Sequence, residues 1–113
     1  MYKRKNRVSK LIYIEVSNML LFGELKDPRI RGSKITAVEV SEDLSNAKVF
    51  FEVEDKGSFK EALDGFKNAS GYIRKRLGEV LYMKKIPKLF FIHDNSEENF
   101  NRIEEIIKKI HNE

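Results

Sequence analysis

The chain has 113 residues, enough for one domain, and its 41% hydrophobic and 35% charged residues are typical of a compact protein with a charged surface. It lacks cysteine, which excludes disulfides and thiolate chemistry, and no stretch approaches the ~20 apolar residues of a membrane span. The net charge of +4 hides a strong polarity, because residues 1–14, 26–38 and 67–93 are basic while 39–66 and 94–113 are acidic. If folding brings the three basic segments together, we expect one basic face.

The first predicted element is a helix from about Arg4 to Phe22. Its apolar residues recur at the three- and four-residue spacing of an amphipathic helix: Val8, Leu11, Ile12, Val16, Met19 and Leu20. Gly23 is suited to end this helix, because glycine readily adopts the left-handed conformation found at helix C-termini. Pro28 then favours an extended or turning chain, so we expect Arg29 and Arg31 on a loop.

Two strands follow, joined by a polar connection. The segment 33–41 (SKITAVEVS) is rich in β-branched residues, and 47–54 (AKVFFEVE) alternates so that Ala47, Val49, Phe51 and Val53 share one face. This pattern predicts an antiparallel hairpin.

Ser58-x-x-Glu61 predicts a capping box at the start of a second helix. Its apolar stripe consists of Phe59, Ala62, Leu63 and Phe66. After Ala69-Ser70-Gly71, a third helix is predicted from the stripe Ile73, Leu77, Val80 and Leu81.

The segment 88–93 (KLFFIH) predicts a third strand, and Asn95-x-x-Glu98 a cap for a last helix. The apolar stripe of that helix is Phe100, Ile103, Ile106, Ile107 and Ile110. The element order α-β-β-α-α-β-α over residues 1–113 therefore predicts a single α+β domain with a three-stranded sheet and helices on one side.

Three small residues, Ala69, Ser70 and Gly71, interrupt the helical pattern. We interpret them as a kink in which Gly71 is left-handed and a new helix starts with unpaired N–H groups, a favourable place for phosphate. Arg74, Lys75 and Arg76 would strengthen such a contact. Small-residue breaks are, however, more often packing turns, and cations on a helix more often form a solvated face, so both interpretations stay open.

The candidate nucleic-acid-binding residues combine these cations with the kink and its neighbours. They are Lys3, Arg4, Lys5, Arg7, Lys10, Arg29, Arg31, Ser70, Gly71, Tyr72, Arg74, Lys75, Arg76, Lys84, Lys85 and Lys88. Exposed aromatic residues among cations are suited to nucleic-acid backbones and unstacked bases.

Four ordered blocks of the sequence resemble the bacterial ribosome-binding factor A family. They are NRVSKLIYIEVSNMLLFGELKDPRI, ITAVEVSEDLSNAKVFFEV, ASGYIRKRLGEVL and IPKLFFIHDNSEENFNRIEEII, which together cover nearly the whole chain. Asn101 departs from the family pattern, which often has glycine before the Arg102-Ile103 pair.

The resemblance implies a KH-like fold of type II order with an Ala-x-Gly kink in place of the Gly-x-x-Gly loop, and this sequence has no Gly-x-x-Gly. It further implies a non-enzymatic assembly factor without a cofactor. Such a factor binds the free small ribosomal subunit and its 16S-type ribosomal RNA in late maturation, including the 5′ region, and supports growth at low temperature. We expect a cytoplasmic monomer.

Three rival functions are weaker. Catalysis lacks support, since His93 and His111 have no convincing nucleophile nearby in sequence and there is no phosphate-binding glycine loop or metal-ligand pattern. A DNA-binding helix-turn-helix over residues 59–83 is permitted by the small-residue break, although base-reading side chains are scarce there. The acidic segment 39–66 could instead bind a protein.

Overall fold

A computed structural model of the protein describes residues 3–55 and 58–95, in which two helices pack on a three-stranded sheet and a short 3-10 turn packs against the second helix. The elements are α1 (Arg4–Leu21), the 3-10 turn (Pro28–Ile30), β1 (Lys34–Val40), β2 (Asn46–Glu52), α2 (Phe59–Val80) and β3 (Lys88–His93). The predicted α+β class and its three strands are confirmed. The last predicted helix lies outside the described residues.

The sheet has the order β1-β2-β3, with an antiparallel β1–β2 pair and a parallel β2–β3 pair. Ala47, Val49 and Phe51 are fully buried, which confirms the alternation expected for β2. A parallel pair requires a long crossover, and α2 provides it by running back across the sheet. The α2 helix packs on β3 and the α1 helix on β1.

The α1 helix buries Val8, Ile12, Val16 and Met19 and ends before Gly23, which is left-handed with φ of 69°. The apolar stripe predicted for α1 included Leu11, but the Leu11 side chain is 40% exposed and lies outside the buried face. Residues three and four apart share a helix face, whereas Leu11 precedes Ile12 by one residue and so points away from the sheet.

The prediction of a kink between two helices at Ala69-Ser70-Gly71 is wrong. The α2 helix runs without interruption through Ala69, Ser70 and Gly71, and Gly71 is not left-handed. The two predicted helices are therefore one, and the helix start that was expected to offer free N–H groups to phosphate is absent from residues 59–80. The helix-turn-helix alternative fails for the same reason.

A continuous apolar stripe explains why this helix tolerates its small residues. Ala62, Phe66, Ile73 and Leu77 are all fully buried at spacings of four and seven, so the stripe stays in phase across Gly71. Each large buried side chain contributes roughly 1.5–3 kcal/mol. A helical glycine costs only about 1 kcal/mol relative to alanine.

The start of α2 differs in one detail from the prediction. The helix begins at Phe59 as expected after a cap at Ser58, but the Ser58 side chain makes no bond to the helix. Its hydroxyl donates instead to the carbonyl oxygen of Asp55 at 2.8 Å. The capping box is therefore not formed.

We call one end of the sheet the turn end, because the turn between β1 and β2 lies there together with the start of β3. Val40, Ala47 and Leu89 are aligned across the three strands there. The start of α1 lies beside them, since the amide of Val40 donates to Oγ of Ser9 at 3.2 Å. At the opposite end, the start of β1 pairs with the end of β2.

Candidate nucleic-acid interface

Two of the predicted basic segments meet at the turn end. The start of α1 carries the N-terminal cations there, and the connection from α2 enters β3 at Lys88, whose amide donates to the carbonyl of Ser45 at 2.9 Å. Lys84 and Lys85 lie exposed on this connection. Arg29 and Arg31 lie instead before β1, at the opposite end of the sheet. The structure thus places two of the basic segments at the turn end and the third at the other end of the sheet.

Two of the N-terminal cations form ion pairs with an acidic residue of the turn between β1 and β2. Glu42 lies 2.6 Å from Nζ of Lys5 and 3.9 Å from Nζ of Lys3. The hydrogen bond from Lys5 lowers the pKa of Glu42. Within residues 3–55 and 58–95, the side chains of Arg4, Arg7 and Lys10 are exposed and enter no ion pair.

Arg29 is occupied by its neighbour Asp27. The guanidinium donates to both carboxylate oxygens, at 2.7 Å from Nη2 and 3.0 Å from Nε, and the Arg29 amide adds a third bond. These bonds hold the pKa of Asp27 well below its usual range. Arg31 is exposed and takes no part in the ion pairs of the described chain. Arg29 therefore stabilises the 3-10 turn, while Arg31 remains a candidate contact.

Arg74, Lys75 and Arg76 have three different environments, because successive helical residues lie about 100° apart. Half-buried Arg74 donates to the carbonyls of Ile86 at 3.0 Å and Pro87 at 3.3 Å. It therefore shapes the connection into β3. Lys75 is exposed and enters no ion pair among the described residues.

Arg76 joins α2 to the segment after α1. Its Nε donates to Glu24 at 3.0 Å, and its Nη1 donates to Glu79. The pKa of Glu24 is lowered mainly by its hydrogen bond from Arg76 and further by one from Tyr72. Of the predicted Arg-Lys-Arg cluster, Lys75 is thus the residue best placed to meet phosphate.

The predicted kink residues face different surroundings. Gly71 is exposed, and a Cβ added there would have no neighbour within 4 Å. Ser70 lines an open groove of about 460 Å³ between α2 and β3, which we call the β3 groove. Lys48, Lys67 and Phe90 also line it.

Sequence reasoning missed these last three residues. The alternation in KLFFIH could have revealed Phe90, because Leu89 and Phe91 are buried and the residue between them must point to the other face. Lys48 could have been found in the same way, between buried Ala47 and Val49. Lys67 required knowledge of how α2 packs on β3.

The chemistry available here is binding of an anionic polymer. No helix of the described chain is long and apolar enough to cross a membrane. In the same residues, no three His, Cys, Asp or Glu side chains lie together as metal ligands would. His93 ends β3 with its ring stacked on Phe59, the centroids 4.4 Å apart, which is a packing role.

Comparisons with known proteins show which family this chain resembles. The family model for ribosome-binding factor A matches residues 4–107. A ribosome-binding factor A of Syntrophus aciditrophicus (strain SB) is 38% identical over 113 residues, covering 99% of this chain and 91% of that protein.

Two solved structures share the fold. The crystal structure of ribosome-binding factor A from Thermus thermophilus has a TM-score of 0.71 at 22% identity and covers 79% of this chain and 93% of that one. The second structure is a homology model of the Thermus thermophilus factor, fitted into a cryo-electron microscopy map of its complex with 30S. It has a TM-score of 0.61 at 24% identity and covers 77% of this chain and 91% of that one. The KH-like fold implied by the resemblance is confirmed.

Proposed function

The chain belongs to the ribosome-binding factor A family, and from this premise we propose that it is an assembly factor that binds the free small ribosomal subunit. The observation that carries the proposal is the family match over nearly the full chain, with 38% identity to a curated relative. Further support comes from the related Thermus thermophilus factor, which was fitted into a map of its complex with 30S.

The proposed mechanism is docking without covalent chemistry. Five exposed cations at the turn end carry no ion pair in the described chain: Arg4, Arg7, Lys84, Lys85 and Lys88. Their ammonium and guanidinium groups would displace counterions from the phosphates of the 16S-type ribosomal RNA, which is the main source of affinity in such contacts. Lys10, Arg31 and Lys75 would extend the contact, whereas the paired Lys3, Lys5, Arg29 and Arg76 would mainly stabilise the fold.

The more specific role is late maturation of the small subunit, including processing of the 5′ region of its RNA, and growth at low temperature. The protein would act in the cytoplasm as a monomer, without catalysis or a cofactor. These assignments rest on the family.

Sedimentation of the tagged protein in a cell extract tests the proposal. We expect it to travel with free small subunits and to be depleted from complete ribosomes. Lys84→Glu together with Lys85→Glu should shift it to the top of the gradient, while the control Lys60→Glu, an exposed cation at the start of α2, should not. Wild-type protein that sediments with neither particle would contradict the proposal.

A strain without the protein tests the finer role. It should accumulate small-subunit RNA with an unprocessed 5′ end and grow slowly in the cold. Correct 5′ ends at low temperature would restrict the protein to binding alone.

A further inference from the structure

The β3 strand exposes an aromatic ring at the β3 groove. Leu89 and Phe91 point inward and are buried, whereas Phe90 between them is 42% exposed. The β3 strand is also an edge strand, since its described pairing is with β2 alone. The exposed part of this apolar ring adds little to the free energy of folding. A ligand that covers it would gain the free energy of burying that surface.

Positive charge surrounds this ring. The Nζ of Lys88 lies 5.4 Å from the centroid of Phe90, within the range of a cation–π contact. Lys48 is the partner of Phe90 in the parallel register, and Lys67 of α2 lines the same β3 groove.

A single acid borders this group in the described register. Glu39 is aligned with Lys48 across the β1–β2 pair, but the two side chains form no ion pair. In this register Lys48 and Lys88 therefore outweigh one carboxylate, and the immediate surroundings of Phe90 favour an anionic ligand.

We propose that Phe90 stacks on an unpaired RNA base, and that Lys48, Lys67 and Lys88 hold the phosphates on either side of that base. The proposal rests on the proposed function and adds the class of ligand: single-stranded RNA in the β3 groove, beside the edge of β3 that is unpaired among the described residues. Stacking requires an accessible base face, which a duplex does not offer along its length. Stacking on aromatic residues tolerates any base, so we expect little sequence preference.

An acidic extended peptide is the competing occupant. It would use the same lysines and pair with the edge of β3 that is unpaired among the described residues. It would gain nothing from an aromatic rather than an aliphatic side chain at position 90. The aromatic ring of Phe90 therefore favours RNA over an acidic peptide, and replacing the ring with an aliphatic side chain distinguishes the two ligands.

The test uses the full chain and a short fluorescent RNA strand of mixed sequence, free or annealed to its complement. Wild-type protein should bind the single strand more tightly than the duplex. Phe90→Leu, which keeps an apolar side chain but removes the ring, should weaken single-strand binding about tenfold. Phe90→Tyr should retain most of the affinity.

Tyr82→Leu is the matched control, because Tyr82 is fully exposed and lies outside the groove. It should bind like wild type, and circular dichroism should show that each variant is folded. Equal binding by wild type and Phe90→Leu, equal binding of strand and duplex, or no binding of the strand would overturn the inference.

Sedimentation with purified small subunits separates this result from the proposed function. If wild type binds subunits while Phe90→Leu keeps full affinity for the single strand, the stacking inference alone fails. If wild type does not bind subunits at all, the proposed function fails, whatever the RNA strand shows.

Discussion

Arg76 donates a hydrogen bond from Nε to Oε2 of Glu24 over 3.0 Å, joining two residues that are 52 positions apart in the chain. This contact fixes the second half of α2 to the segment between α1 and the 3-10 turn. The adjacent Lys75 makes no such contact in the described chain and points to solvent. Neighbouring cations of the same helix therefore have different roles.

Substitution of these two residues should separate stability from binding. Arg76→Met keeps the aliphatic stem but removes the donors to Glu24 and Glu79, so we expect a lower thermal unfolding midpoint. Lys75→Met should leave the midpoint unchanged and weaken binding to small subunits. Thermal unfolding and sedimentation of both variants measure this. A reversed pattern, with Lys75 supporting the fold and Arg76 supporting binding, would refute the assignment.

Two glycines of α2 should respond in opposite directions to alanine. In Gly65→Ala the new Cβ would lie 2.8 Å from Cγ2 of Ile30 and 3.1 Å from Cβ of Arg29, so the 3-10 turn must move. We expect destabilisation by about 1–3 kcal/mol. Gly71→Ala meets no atom within 4 Å and should stabilise the helix by about 0.5–1 kcal/mol.

Chemical denaturation of the two alanine variants gives the unfolding free energies. Gly71→Ala should also bind small subunits as tightly as wild type. A loss of stability in Gly71→Ala would show that Gly71 leaves the helical conformation, and would restore the kink that the sequence predicts.

The sequence alone predicted most of the fold, because the apolar spacing reflects which residues are buried. The strand 88–93 has the predicted bounds, and α1 begins at Arg4, where its start was approximately expected. The error at Gly71 has a physical origin: local propensity disfavours glycine within a helix, but the buried stripe from Ala62 to Leu77 continues in phase and outweighs it. Local propensity was given too much weight against tertiary packing.

The candidate site was less predictable because a sequence lists charges without their partners. Asp27 beside Arg29 is a local pair that could have been anticipated from the sequence. The Lys5–Glu42 and Arg76–Glu24 pairs join distant segments and required the fold. The exposed position of Phe90 was implied by strand alternation and was overlooked.

Acid should weaken the fold through the turn between β1 and β2. Asp43 accepts bonds from the hydroxyls of Ser45 at 2.7 Å and Ser41 at 2.8 Å and from the Ser45 amide, and these lower its pKa from 3.8 to about 2. A carboxyl whose pKa is lower in the folded than in the unfolded protein stabilises the fold at pH values above its unfolded pKa. This stabilisation is lost as the pH falls to the folded pKa. The unfolding midpoint should therefore fall between about pH 4 and pH 2.

The variant Asp43→Asn isolates this contribution. It should be less stable than wild type at neutral pH and lose less of its remaining stability between about pH 4 and pH 2. Asp64→Asn, at an exposed position in α2, is the control and should follow the wild-type profile. Parallel profiles for wild type and Asp43→Asn would show that the turn does not favour the ionised carboxylate.

The salt dependence of binding to purified small subunits tests the central claim most directly. Five cations of the turn end enter no ion pair in the described chain. If each neutralises one phosphate, the logarithm of affinity should fall against the logarithm of salt concentration with a slope of about −3.5 to −4.5. Lys84→Gln with Lys85→Gln should reduce the magnitude of that slope by about 1.5. A slope near zero, or one unchanged in the double variant, would contradict docking on RNA through the turn end.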